Sequence, residues 1–363
     1  MAMDRIRKAW AVGAAAASLA MATLPLGVQA AEGYVHFDWQ SVADGVWVGI
    51  SKPGSYQTGN TVIISLPGQG SMVVDSQLAP YMGQEIVEKV KELGVAPVRY
   101  LVNTHLHQDH VGGNIAFKKA YPKVEIIAHS ATCRGVEDKT KRQAILRVPR
   151  LSTQADQLMA KRAGLAAGDP EIAGIDRMVA GIRLYLEDAK NFEWVMPEKC
   201  LDFKPGQQRV IQAGGRRIEI KHVGGSHSAG DLIVWLPKEK VVAVGDIWST
   251  GGDFLLNSGI DGRDGSVVDA PKVQKAIAAL PFEVAIPGHR AVVRGRESLN
   301  TAIANSEKFV AQVKAVWDRS EFVDDAIRQV TPPVPQLNPA WQRAVIRAYE
   351  EIEQRRQRGL SVP

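Results

Sequence analysis

Thr104-His105-Leu106-His107-Gln108-Asp109-His110-Val111-Gly112-Gly113 places three of the chain's eight histidines and an aspartate within six positions. The stretch follows the apolar, β-rich run Val98–Val102, which reads as a buried strand, so it forms a loop at that strand's C-terminal end. In extended backbone, residues i and i+2 point to the same side, so His105 and His107 can hold one metal ion together. Asp109 and His110 fall just past the turn and can hold a second ion close by. Gly112 and Gly113 are expected to permit a sharp turn and close packing where the next helix begins. Neutral imidazole and carboxylate are the donors that zinc and other borderline first-row ions take.

Three further donors stand at similar places. His227 lies in the Gly-rich turn Gly224-Gly225-Ser226-His227-Ser228-Ala229-Gly230-Asp231. Asp246 follows the apolar run Val241–Val244, and His289 sits in Ile286-Pro287-Gly288-His289-Arg290. Each follows a strand signal, so all can gather at one edge of a sheet assembly. His36, His129 and His222, near the mature N-terminus or at strand ends, read as structural.

Outward from the motif, residues 45–50, 61–66 and 71–76 read as a meander of short strands split by Gly, Pro and Asn. Residues 80–93 carry helical periodicity, 113–121 look helical, and Val124 to Ala128 is a strand. From Ser130 to Glu193 charged and Ala-rich helical stretches dominate, broken at Gly168, Asp169 and Pro170. Strand signals return at 209–213, 217–223, 231–236 and 240–245. A helix at 270–280 then leads to a strand at 283–287. From 298 onward the chain is mostly helical, interrupted by Thr331-Pro332-Pro333-Val334-Pro335.

The 363 residues are 45% hydrophobic and 23% charged, which excludes collagen-like, disordered and disulfide-scaffold chains. Arg5, Arg7 and Lys8, then an apolar stretch to about Leu26 and Val28-Gln29-Ala30, form the pattern of a signal peptide cleaved after Ala30. A periplasmic protein with no stable membrane insertion after cleavage is expected. Residues 1–30 contribute three basic groups against Asp4, leaving +3 of the formal +5 for the rest. That excess is too small to indicate nucleic acid or an anionic membrane. The partner expected is a small-molecule substrate; oligomeric state is not legible. Cys133 and Cys200 could pair in an oxidising compartment or remain two buried thiols, because sequence does not give their Cα separation.

These motifs, with Asp75 as a fifth element at the end of Met72 to Val74, resemble the metallo-β-lactamase superfamily over roughly residues 40–290. The resemblance implies an α/β fold, an αββα sandwich with the metals at one edge. Here it would span 31–297 after the signal peptide 1–30, with a helical insertion at about 131–193 and a helical C-terminal extension at 298–363. It implies that His105, His107 and His227 bind a first metal, that Asp109, His110 and His289 bind a second, and that Asp246 bridges both. Asp75 would be the structural aspartate supporting them. Cysteine-type zinc β-lactamases carry Cys where this chain has Asp246 and Lys where it has Ser249. Asp at that place is similar to the broader superfamily of thioesterases, lactonases, phosphodiesterases and exported hydrolases, and to a minority of β-lactam-hydrolysing members.

The expected function is metal-dependent hydrolysis of a small ester, lactone, thioester or β-lactam. Two divalent ions, zinc by preference, would lower the pKa of a shared solvent molecule, and Asp109 would orient it as the catalytic carboxylate. An iron-dependent oxidoreductase similar to persulfide dioxygenases, a phosphodiesterase, a nuclease of the RNase Z type and a binding protein with a decayed site are the alternatives. Tyr185, Trp194, Trp248 and Phe254 are candidate apolar walls, for which core packing is the plainer role. Arg290 or Arg294 is a candidate anion contact.

Overall fold

A period-two pattern divides the strand residues between two faces, and this partition builds the architecture. Val62 and Ile64, like Met72 and Val74, point into one apolar cluster, whereas Ile63 and Val73 point into another. Val241 and Ala243 join the first cluster, and Val242 and Val244 a third. The computed structural model describes residues 36–52, 56, 59–190, 192–248, 265–320, 322–330 and 338–362. The expected signal peptide, Ser249, Phe254 and the Pro-rich break at 331–335 lie outside the described residues.

Among the described residues, one sheet contains β1 (Phe37–Ala43), β2 (Val46–Ser51), β3 (Thr61–Leu66), β4 (Gly70–Val74), β5 (Val98–Val102), β6 (Glu125–His129) and β7 (Lys199–Leu201), in that order. Its first four strands are antiparallel, and β4 through β7 are parallel. The second sheet contains β8 (Gln208–Ala213), β9 (Arg216–Lys221), β10 (Ile233–Leu236), β11 (Val241–Gly245), β12 (Val284–Pro287) and β13 (Val293–Arg294), ordered β13-β12-β11-β10-β9-β8. Only β11 and β12 run parallel there. Residues from both sheets, including Val48, Val74, Ile220, Val234 and Ile286, form the central core.

Helices cover both outer faces. α1 (Pro80–Glu92) turns Ile86, Val87 and Val90 onto Ile63, Val73 and Leu101, joined by Phe117 of α3 (Asn114–Ala120); the four-residue α2 (Gln108–Val111) precedes it. On the other side α7 (Ala270–Ala278) and α8 (Glu297–Trp317) bury Val273, Ile277, Leu299 and Ala302 against β10 and β11. Helix, sheet, sheet, helix is the layer order that buries both faces of two amphipathic sheets. β1, β7 and β13 were not anticipated; β1 exposes much of its length, and the other two have three and two residues, too few to show a period.

The segment after β6 is helical as expected: α4 (Ser130–Gly135), a π-helical turn at Val136–Thr140, α5 (Lys141–Ala163) and α6 (Glu171–Ala189). Leu151, Ala155, Ile182 and Tyr185 from α5 and α6 pack with Leu78, Ala79 and Met82. Cys133 and Cys200 are joined as a disulfide with Cα atoms 6.2 Å apart, so α4 is stapled to β7. At the C-terminal end, α8, α9 (Val323–Gln329) and α10 (Asn338–Gln357) share a separate apolar cluster with Val267 and Val268. No helix among the described residues is long and apolar enough to cross a membrane.

Candidate metal centre

The parallel strands β4, β5, β11 and β12 all end at the same edge of the sandwich, and each delivers side chains there. The loop after β5, with its short helix α2, carries His105, His107, Asp109 and His110; the turn between β9 and β10 carries His227; Asp246 follows β11 and His289 follows β12. Their donor atoms fall into two groups, His105, His107, His227 and Asp246 in one and Asp109, His110 and His289 in the other.

In the first group His105 Nε2, His107 Nδ1 and His227 Nε2 lie 2.9–3.1 Å apart. Asp246 Oδ2 is 3.7 Å from His105 Nε2 and 3.4 Å from His227 Nε2. A tetrahedral ion with bonds of about 2.0–2.1 Å separates its ligand atoms by roughly 3.4 Å, so the four atoms are spaced as one coordination shell. In the second group Asp109 Oδ2 is 3.2 Å from His289 Nε2 and 3.7 Å from His110 Nε2. Asp246 Oδ2 also lies 3.3 Å from His289 Nε2, so one carboxylate oxygen faces both groups. His110 Nε2 and Asp246 Oδ1 are buried and face each other at 3.5 Å, too far apart for a good hydrogen bond. That spacing is close to the roughly 3.4 Å between two ligands of one ion, so this pair too fits a centre built to hold a cation.

A second layer of side chains aims these donors. Asp75 Oδ2 lies 2.8 Å from His110 Nδ1 and accepts the Thr104 hydroxyl at 2.8 Å, while Asp75 Oδ1 accepts the Thr104 N–H at 2.7 Å. Thr104 Oγ1 in turn lies 3.0 Å from His105 Nδ1. With its proton committed to Asp75, that hydroxyl accepts from His105, so both rings present Nε2 to the centre. Asp75 itself has a φ of +63°, a left-handed backbone that Asp tolerates better than most residues. The Asp231 carboxylate accepts the N–H groups of Ser226, His227 and Ser228 and the Ser228 hydroxyl at 2.6–3.0 Å, which fixes the His227 turn. Asn60 donates its side-chain amide to the carbonyls of Pro287 and Arg290 at 2.9 and 2.7 Å and holds the His289 loop.

Gly112 and Gly113 have ordinary negative φ values of −66° and −86°, so left-handed backbone is not their role. Space is: a Cβ would lie 2.1 Å from the Leu78 carbonyl oxygen at Gly112 and 1.9 Å from that of Ser76 at Gly113. Gly288 is under a similar constraint, because a Cβ there would lie 2.1 Å from Asp246 Oδ1.

Without a cation the cluster is electrically divided. Burial and the neighbouring imidazoles hold His105 well below its usual range, and burial holds His227 down at about 3. Burial also works against the charged form of His110 and His289, but the surrounding carboxylates prevail. Asp246, Asp75 and Asp109 raise His110 well above its usual range, and Asp246 and Asp109 push His289 up to about 10. The histidine neighbours hold Asp246 and Asp109 low in spite of their burial.

The remaining histidines stay outside the cluster. His36 pairs with Glu85 at 2.5 Å, and the rings of His129 and His222 stack on each other with centroids 4.5 Å apart. Tyr185 is buried and bonds the Gln108 side chain beside Asp109, while the Thr140 hydroxyl donates to the Leu106 carbonyl at 2.6 Å. The helical insertion therefore packs against the histidine loop. Trp248 is fully buried in the core under α7, and Trp194 packs against Leu106, Val111 and Val136. Arg290 and Arg294 are exposed. Thr104, Asp231 and Asn60 were not singled out as supports; an Asp four residues after His227 was the one local signal, whereas Asn60 reaches its partners across more than 200 positions.

A family model described as the metallo-beta-lactamase superfamily matches residues 56–289. The metallo-beta-lactamase FIM-1 from Pseudomonas aeruginosa, solved in a mono-zinc form, superposes with a TM-score of 0.52 at 18% identity, covering 76% of this chain and 96% of that one. A metallo-beta-lactamase from Hirschia baltica is 22% identical at a TM-score of 0.49, over 74% of this chain and 97% of its own. At 18% identity the likeness to FIM-1 speaks for the fold alone. No curated protein matches the chain in sequence.

Proposed function

The chain belongs to the metallo-beta-lactamase superfamily, and from that premise we propose that it is an exported hydrolase holding two divalent ions, zinc by preference, that opens a small ester, lactone, thioester or β-lactam. The observation that carries this reading is the gathering of seven donors from four loops into two groups that share Asp246 Oδ2. His105, His107 and His227 would hold the first ion, Asp109, His110 and His289 the second, with Asp246 between them. Bound ions would supply Lewis acidity for the scissile carbonyl and acidify nearby solvent.

The chain's own groups divide the remaining work. Asp246 would set one anion between the two cations and offset their repulsion. Asp109 is partly open to solvent and sits 3.2 Å from His289 Nε2, so its carboxylate can accept a hydrogen bond from an attacking water and orient it. Asp75 and Thr104 keep His110 and His105 in the tautomers that face the centre. The paired Cys133 and Cys200 support an oxidising compartment, in keeping with a periplasmic protein.

The test is metal analysis of the purified chain, followed by turnover of nitrocefin, lactones, thioesters and phosphodiesters by the wild type, His107→Ala and Asp246→Ala. Both variants should lose bound metal and activity together. Full activity in a variant without metal, or resident iron with oxidation of persulfides, would overturn the reading.

A further inference from the structure

The C-terminal helices grip the segment against which the His227 turn is fitted. Gly265 is buried, and a Cβ on it would lie 2.4 Å from the Ser226 carbonyl oxygen and 2.6 Å from that of His227. Its backbone is therefore flush against the two peptide groups that present a candidate ligand. Asp231 holds the N–H side of the same turn, at the His227 nitrogen and its neighbours. Gly265 closes the carbonyl side.

Gly265 is set in place by α10. Arg347 donates to the Gly265 carbonyl at 2.9 Å and pairs with Glu351 at 2.7 Å, one helical turn further on. Glu351 is buried and accepts the Ser266 hydroxyl at 2.9 Å and the N–H groups of Val267 and Val268 at 3.3 and 3.1 Å. The two valine side chains insert among Phe309, Val313, Ala344 and Ala348 of α8 and α10. Four consecutive residues are thus held by one carboxylate, one guanidinium and an apolar socket. A buried carboxylate with a cation and three donors is costly to disturb, since removing its charge leaves each partner short.

We infer that Arg347 and Glu351 are positioning residues for the first metal, acting on His227 through Gly265. The C-terminal extension is then a brace that keeps one imidazole in register with His105 and His107. This rests on the metal-binding reading above. Groups that orient metal ligands without touching the ion change affinity by about 10–100-fold when removed.

The experiment measures Zn2+ affinity of the full chain by chelator competition, with Co2+ absorption as a second readout of the first site's geometry. Glu351→Gln keeps the shape, loses the charge and turns an amide N–H toward groups that are already donors. It should bind the first ion about tenfold more weakly and shift the Co2+ band. Gly265→Ala tests the same contact without touching α10 and should do likewise, so a Glu351 variant that does not fold leaves the inference testable. Glu353→Ala, which removes from α10 the acceptor of the Trp317 indole N–H at 2.9 Å and leaves residues 265–268 untouched, should lower Tm while leaving affinity unchanged. Wild-type affinity in Glu351→Gln and Gly265→Ala would overturn the inference, as would an equal loss in Glu353→Ala. A wild type that binds no metal would instead overturn the reading it rests on.

Discussion

Asp75 Oδ2 lies 2.8 Å from His110 Nδ1, and the same oxygen takes the hydroxyl proton of Thr104, whose oxygen lies 3.0 Å from His105 Nδ1. One buried carboxylate thereby governs an imidazole of each donor group. Asp75→Asn keeps the left-handed backbone, which Asn also tolerates, but presents either a weaker acceptor or a donor to two donors. Both ions should bind about 10–100-fold more weakly with the fold retained. Chelator competition checks this; unchanged affinity would show that Asp75 does not orient the rings.

The Asp231 carboxylate organises the His227 turn. Burial pushes it up to about 7 against the donors that pull it down. Asp231→Ala would strand the N–H groups of Ser226, His227 and Ser228, at about 1–3 kcal/mol for each that finds no water. Thermal unfolding should show a lower Tm, and equilibrium metal titration a weaker first site. A stable variant with intact affinity would contradict this role.

Metal uptake should release protons. His289 has its metal-free pKa pushed up to about 10, so at pH 7.5 the imidazole holds a proton that ligation must expel. Calorimetry in buffers of different ionisation enthalpy should find about one or more protons released per chain at that pH. The sign for stability follows from the same shift. A raised histidine stabilises the metal-free fold fully below its unfolded value of about 6.5, and that contribution is lost as pH rises through about 10. The metal-loaded chain holds this ring neutral and should not show the same decline.

The disulfide joins α4 to β7 across 67 positions. Its loss should cost about 2–4 kcal/mol. Urea unfolding of Cys133→Ser with Cys200→Ser should show that decrease while metal content stays unchanged, because neither cysteine is a donor. Equal stability with and without reductant would contradict the pairing.

Most of the centre was legible because chemistry and periodicity coincide in it. Three histidines and an aspartate after a buried strand have few other uses, and His227, Asp246 and His289 each follow a strand that the pattern of apolar residues marks. The layered fold was legible for the same reason: strands such as β3, β4 and β11 carry long apolar runs. What was not legible is long-range or sterically defined. Asn60 reaches the His289 loop from the other sheet. Gly112 and Gly113 are needed for room beside the carbonyls of Leu78 and Ser76, which no local pattern reveals. Gly265 meets Arg347, and Val268 meets Glu351, only once α10 is folded back on the loop before α7. Tyr185 and Trp248 are aromatic residues near the centre in sequence or in space, but packing claims them.

The most direct test is titration of the metal-free chain with Zn2+, counting the equivalents that bind above the background of a His105→Ala, His289→Ala double variant. The account predicts two per chain for the wild type and none at comparable affinity for the variant. A wild type that takes up no more zinc than the variant would contradict it.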